Sequence, residues 1–262
     1  MPGSIGYKVT KLAIELGKKI ASVSAMNGRS DAAYHEIGLR TGGLGISMVG
    51  FEPGMSSFFA GRGYYHLDKC EEMYLYVGGG LPVKPRPPFN YFTTWSLYDN
   101  INQFNQPATV VRGGEAKRIP ALSEVMPFEI EDYKDLQCFT SDGLGGLFRC
   151  FKDVPEMAAY TVRWPGVADQ MRFLNDLDLF DEEERKLGKV NQVPRDILMD
   201  IFSKKYEILP GEADMSILRI VTKGLKGNDR ITYTFEIAQR EIPETGYTSM
   251  AWTTATTCSI FA

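Results

Sequence analysis

The sequence is poor in the materials of metal sites and membrane spans. Its four cysteines, Cys70, Cys138, Cys150 and Cys258, are far apart and form no C-x-x-C pair, and only two histidines, His35 and His66, could join them. A structural zinc site is not indicated. No window approaches the roughly 18 consecutive apolar residues that a membrane helix needs, so a membrane partner is not expected. Charge of one sign is also lacking: 33 acidic against 29 basic residues leave a net charge of -4, and the basic residues are scattered rather than striped. A nucleic-acid partner is therefore not expected either. The amino terminus, MPGSIGYKVTKLAIELGKK, has lysines but no apolar core followed by a small-residue cleavage site, so it does not read as a signal peptide. Free thiols in a reducing cytoplasm are expected. No internal repeat or low-complexity segment is present.

What remains is an ordinary globular composition, with 44% hydrophobic and 24% charged residues over 262 positions. That length suits one large domain plus a fragment of another. From Val9 to Leu16 the apolar residues recur at helical spacing, Gly17 can stop the helix, and Ile20 to Ser24 alternates like a short strand. A second such unit follows: Ser30 or Asp31 can cap a helix through Leu39, Gly42 and Gly43 end it, and Ile46 to Val49 reads as a strand. Two helix-then-strand units in a row predict a parallel sheet. At Gly50 the chain enters GFEPGMSSFFAGRG, where Pro53 and Gly54 set a sharp turn and Met55 to Ala60 starts a helix.

Beyond this point the texture changes. Glu72 to Val77 is strand-like and is expected to end at the triple glycine Gly78 to Gly80, after which LPVKPRPPFN is too proline-rich for regular structure and is a candidate boundary. Strand character returns at Tyr91 to Ser96, Ala108 to Ile119 with a hairpin at Gly113 and Gly114, Leu136 to Thr140, and Ala159 to Arg163. Helices are predicted in ADQMRFLNDLDLF and, opened by Pro194, in RDILMDIFSKKY. The segments MSILRIVTKG and RITYTFEIAQ form a long hairpin turned at Gly227, Asn228 and Asp229, and the tail TGYTSMAWTTATTCSIFA reads as a helix. The fold class is thus α/β: the remnant of a Rossmann-like parallel sheet followed by an α+β domain with a large mixed or antiparallel sheet.

The segments Gly79 to Pro82, Trp95 with Ser96, PALSEV at Pro120 to Val125, FTSDGL at Phe139 to Leu144 and TVRWPG at Thr161 to Gly166 follow one another in a known order. So do MRFLNDLDLF and TGYTSMAWTT. Together they resemble the carboxy-terminal domain of saccharopine dehydrogenase-like proteins, nearest to the lysine 6-dehydrogenase branch. The resemblance implies three parts: residues 1–63 as the end of a dinucleotide-binding domain, 64–246 as a substrate and dimerisation domain, and 247–262 as a tail helix returning to the first part. It also implies a homodimer, NAD or NADP as cofactor, a small amino acid as substrate and hydride transfer at a C–N bond. Relatives carry a Gly-rich loop between the first strand and helix of the nucleotide domain. Here the nearest string, TGGLGISMVG, has its glycines before a strand and cannot serve as that loop. The first residues are accordingly expected to fall inside the nucleotide domain. Two further departures are Val167, where relatives usually carry histidine, and Ala251 with Trp252, where they commonly carry Ala-Arg.

Hydride chemistry belongs to the cofactor, so the chain needs only to hold the carboxylate and place the reacting carbon. The turn of Gly50, Phe51, Pro53, Gly54 and Ser56 lies at the end of a predicted parallel strand and at a helix start, where ligands bind in open α/β sheets, and is assigned to the nicotinamide side. Its alternative is a tight turn with Ser56 as a cap. Thr140, Ser141 and Asp142 end a strand and are candidate substrate contacts, or else an Asx-type turn. Arg163 is the candidate receptor for a substrate carboxylate through its forked guanidinium, or a partner in a structural ion pair. Trp95 walls the pocket or fills the core. The two histidines fall in predicted helices and are not assigned to catalysis, and the acidic run Asp181 to Glu184 reads as a solvated helix end. The reading that competes with an oxidoreductase is a non-catalytic binding or dimerisation module of the same ancestry.

Overall fold

The structure is a computed structural model that describes residues 3–24, 31–92 and 94–262. The chain divides into two compact units, Met1–Phe58 with Ala251–Ala262, and Phe59–Met250. In the first, α1 (Gly3–Glu15), β1 (Lys19–Ala21), α2 (Asp31–Thr41) and β2 (Leu44–Ile46) precede the start of α3 (Met55–His66). The two strands pair in parallel from Lys19↔Leu44 to Ala21↔Ile46, as two helix-then-strand units require. Ile14 and Tyr34, with Tyr7 and Ile37 against them, pack α1 on α2. The second strand stops sooner than its sequence suggests. Met48 adopts a left-handed φ of 61°, which ends the extended run, and a single backbone bond from Val49 N–H to the Ser22 carbonyl, 3.2 Å, continues the pairing. Of the two expected caps of α2, Ser30 lies outside the described residues, as does the Asp31 side chain.

The second unit carries β3 (Lys69–Pro82), α4 (Leu97–Asn105), β4 (Ala108–Arg112), β5 (Glu115–Ile119), β6 (Met126–Ile130), β7 (Tyr133–Thr140), α5 (Leu147–Cys150), β8 (Glu156–Arg163), α6 (Val167–Asp176), β9 (Arg185–Leu187), β10 (Val190–Gln192), α7 (Pro194–Lys205), β11 (Asp214–Lys226), β12 (Asp229–Arg240) and the start of α8 (Ser249–Phe261). One mixed sheet of eight strands runs β12-β11-β3-β8-β4-β5, with β7 branching from β8 and β6 pairing β7. Only β3 and β8 pair in parallel within it; its other pairings are antiparallel. The strand β8 is shared, meeting β4 at Met157 and β7 along Tyr160 to Arg163. Seven of its eight residues are buried, which is why its sequence reads MAAYTV without polar alternation.

Two further expectations needed correction. The triple glycine does not end β3; the strand runs on to Pro82 because β11 keeps pairing it through a register shift between Met215 and Ile217, and Gly80, with φ of 64°, takes up the bulge. No strand spans Tyr91 to Ser96. The residues described there form a loop, and α4 follows directly with Ser96 as N-cap, its hydroxyl accepting from Asp99 N–H at 3.4 Å. Pro194 does open α7.

The two faces of β7 and β8 feed different cores. Leu136, Cys138, Ala158, Tyr160 and Val162 join Leu81, Phe128, Trp164 and Ile217 in one cluster. Phe139 points the other way, among Ile101, Phe104, Met171, Leu198 and Phe202 of the helices α4, α6 and α7. Each fully buried aromatic such as Phe104 or Phe139 contributes about 2 kcal/mol by leaving water. Because strand side chains alternate, Thr161 and Arg163 share the helix-side face with Phe139 and look toward α4.

Candidate functional site

In the first unit, the turn after β2 folds tightly on itself. Gly50 N–H donates to the Pro53 carbonyl at 2.9 Å, Met55 N–H returns to the Gly50 carbonyl at 2.9 Å, and α3 begins there. Gly54 has a φ of 139°, and a Cβ on it would sit 2.2 Å from the Gly50 oxygen, so no other residue fits. Phe51 and Ser56 are buried. The residue that matters most in this turn was not singled out by the sequence reading. Both carboxylate oxygens of Glu52 are shielded from solvent without a hydrogen bond of normal geometry among the described residues, as are the hydroxyls of Ser56 and Thr254. Burial pushes the Glu52 carboxyl up to about 8, with the Ser56 hydroxyl opposing. A carboxyl that stays mostly protonated at neutral pH is able to give and take a proton. Its signal in the sequence was a single acid enclosed by Phe51, Pro53 and glycines.

In the second unit, the face of β8 that looks toward α4 carries a buried polar cluster. Arg163 is 4% exposed. Its Nη1 donates to the Val162 carbonyl at 2.8 Å and its Nη2 to Gln103 Oε1 at 3.1 Å, both neutral oxygens. No carboxylate pairs with it among the described residues. Loss of hydration lowers its guanidinium to about 10, with the neighbouring Tyr91 hydroxyl favouring the charge. The Thr161 hydroxyl stands 3.1 Å from Gln103 Oε1 and 2.9 Å from the Ser141 hydroxyl. Gln103 is held in turn by Nε2 donating to the Asn100 carbonyl at 2.8 Å. The structural ion pair weighed for Arg163 is not formed.

The other candidates part company. The Thr140 hydroxyl and N–H both donate to the Ser123 carbonyl, at 3.0 and 2.9 Å, which fixes the PALSEV loop to β7. Asp142 accepts from Thr109 N–H at 3.1 Å and meets Arg118 at 3.4 Å, tying the strand end to the hairpin of β4 and β5. Trp95 is 41% exposed in the loop before α4. Ser141 therefore joins Arg163, while Thr140, Asp142 and Trp95 lie outside that cluster. Gln103, Thr161 and Tyr91 complete it and were missed, since Gln103 is brought to Arg163 from a helix 60 residues earlier in sequence. No group of three or more His, Cys, Asp or Glu side chains able to hold a metal occurs among the described residues. Nor is any helix among them long and apolar enough to cross a membrane.

The architecture is an α/β one: a small parallel sheet, and a large mixed sheet that carries a buried cation without a counter-ion among the described residues. Residues 50–262 match the saccharopine dehydrogenase C-terminal domain family, and the chain belongs to it. Among solved structures, apo histidine-tagged saccharopine dehydrogenase (L-Glu forming) from Saccharomyces cerevisiae is similar with a TM-score of 0.79 at 16% identity, covering 100% of this chain and 74% of that one. An engineered D-amino acid dehydrogenase gives a TM-score of 0.40 at 14% identity over 98% of this chain and 66% of that one. The fold is that of the yeast structure, and the family is one of oxidoreductases.

Proposed function

We propose that the chain serves NAD(P)-linked oxidoreduction at the C–N bond of an amino acid, with saccharopine or lysine as the first substrates to try. The observation that carries this reading is Arg163, a guanidinium buried to 4% exposure with neutral oxygens for company. A buried charge left without a counter-ion costs stability, and a site that accepts this cost is arranged for an anionic ligand. A forked guanidinium suits a carboxylate. The Gly50 to Ser56 turn fits the nicotinamide side of a dinucleotide, because Glu52 and Ser56 offer buried polar groups with no hydrogen bond of normal geometry among the described residues. The cofactor would supply hydride exchange; the chain's own work is to hold the carboxylate at Arg163 and to hold or release a proton at Glu52. Four free cysteines suit a cytoplasmic setting.

A second reading, a non-catalytic dimerisation or binding module, draws on β12. This strand closes one end of the sheet path, spans 12 residues, and alternates exposed with half-buried positions. An edge of that length invites a partner strand, and a homodimer is the simplest way to cover it.

Steady-state kinetics with lysine and saccharopine, each with NAD and NADP, test the first reading. Arg163→Lys loses the forked geometry and is expected to lower kcat/KM by roughly tenfold, about 1.4 kcal/mol, with little change in Tm. Unchanged kinetics would rule out the carboxylate role. Absence of turnover with every pairing, together with a dimer in sedimentation equilibrium, would favour the second reading.

A further inference from the structure

The Arg163 cluster contains one group that none of the described residues uses. Tyr91 is 3% exposed, packed among the rings of Phe104, Phe202 and Tyr206 at centroid distances of 6.5, 6.4 and 5.9 Å. Its hydroxyl is shielded from solvent and has no hydrogen-bond partner among the described residues. A phenylalanine would fill the same space and spare the protein an unmet donor. Tyr91 packs in the same cluster as Phe104 and Phe139, on the face of β7 and β8 from which Arg163 reaches Gln103, the chain neighbour of Phe104; in keeping with that placement, the cation favours ionisation of the phenol, which burial opposes more strongly. The hydroxyl therefore stands within electrostatic reach of a guanidinium that lacks an anion.

We propose that the Tyr91 hydroxyl is a second donor of the Arg163 site, and that the two groups together receive a single carboxylate. This rests on the carboxylate reading of Arg163 given above and adds a residue and a charge limit to it. The site offers one positive charge, on Arg163, and one neutral donor, on Tyr91. Its remaining polar groups, Gln103, Thr161 and Ser141, are neutral and already bonded to one another or to Arg163. A planar monoanion with two acceptor oxygens matches that inventory, one oxygen for the guanidinium and one for the phenol. A phosphate dianion would leave uncompensated negative charge in a buried place.

The test uses the full chain, thermal unfolding and calorimetric titration, with sodium acetate as probe, sodium chloride at matched ionic strength as control and inorganic phosphate as the competing anion class. Acetate is expected to raise Tm in the parent protein and to lose this effect in Arg163→Met. Tyr91→Phe should leave the ligand-free Tm equal or higher, since an unmet donor is removed, while weakening acetate about tenfold, the worth of a hydrogen bond to a charged group. If Tyr91→Phe lowers the ligand-free Tm and acetate binds as before, the hydroxyl is a structural donor and the inference is overturned, while an Arg163-dependent acetate effect would leave the carboxylate reading standing. Acetate binding that is absent from the parent, or that survives in Arg163→Met, overturns both. Phosphate bound as tightly as acetate removes the charge limit.

Discussion

Two arginines are buried almost equally in the second unit, at 0% exposure for Arg195 and 4% for Arg163, and their surroundings treat them in opposite ways. Arg195, on the first turn of α7, pairs with Glu182, donates to the Tyr98 carbonyl and to Asn102 Oδ1 at 2.6 Å each, and lies 3.8 Å from the centroid of the Tyr98 ring. It staples α7 to α4 and to the segment before β9. Arg163, on β8, meets two neutral oxygens and an idle phenol. The first arrangement balances its charge with Glu182, although the Arg195 Nε–H is buried without an acceptor among the described residues, whereas the second leaves its charge uncompensated among them. Burial alone does not distinguish a structural arginine from a binding one; the presence of a counter-ion does.

That contrast is easiest to break with truncations. Arg195→Ala removes an ion pair to the half-exposed Glu182, two hydrogen bonds and a ring contact, and leaves a cavity, so urea unfolding should show a loss of about 3 kcal/mol. A loss under about 1 kcal/mol would mean that Arg195 is no more of a staple than a surface residue. A third buried charge sharpens the comparison from the acidic side. Glu52 has its folded value raised to about 8 from an ordinary 4.5, so between those values the folded protein holds a proton that the unfolded chain has released. Stability should therefore fall as pH rises through that window, by up to about 1.4 kcal/mol per pH unit. Glu52→Gln should flatten the slope, and identical pH–stability profiles for parent and variant would show that the carboxyl is solvated. The smallest effect is expected where the charge has least to lose: Arg163→Met should change ligand-free stability by less than about 1 kcal/mol, or raise it, because a similar apolar volume replaces an unpaired cation. A large destabilisation would place Arg163 with Arg195.

Much of the fold was legible because it depends on local rules. The parallel pairing of the first two strands, Pro194 at a helix start, the Gly113 and Gly114 hairpin and the long hairpin around Gly227 all follow from periodicity and turn chemistry. The helix α4 was left without an assignment, although Ser96 and Asp99 form a cap and Ile101 and Phe104 fall one turn apart; only the aromatic run before it, Tyr91 to Ser96, was read, and as strand. The strand β6 was missed since Pro127 cannot donate to a ladder, and it survives because it pairs only with β7. In the Arg163 cluster the cation itself was legible from its place at the end of a β-branched run. Its partners were not, because Gln103 and Tyr91 reach it only through tertiary packing, and no spacing rule links a residue of α4 to one of β8. Asp142 shows the converse: a polar residue at a strand end drew a functional reading, and its carboxylate fastens β7 to the hairpin of β4 and β5.

Both junctions between the two units fall inside helices, at Phe58 in α3 and at Met250 in α8, and the first unit is assembled from the two ends of the chain. Severing the backbone once within residues 59–250 therefore releases neither unit, for each resulting fragment still carries a share of both. At the second of these junctions, Asp214 fastens the helix start by accepting from Ser249 N–H at 2.6 Å and Met250 N–H at 3.1 Å. A protease nick in the proline-rich loop would leave a two-piece protein whose fragments remain joined by the pairing of β3 with β8 and β11.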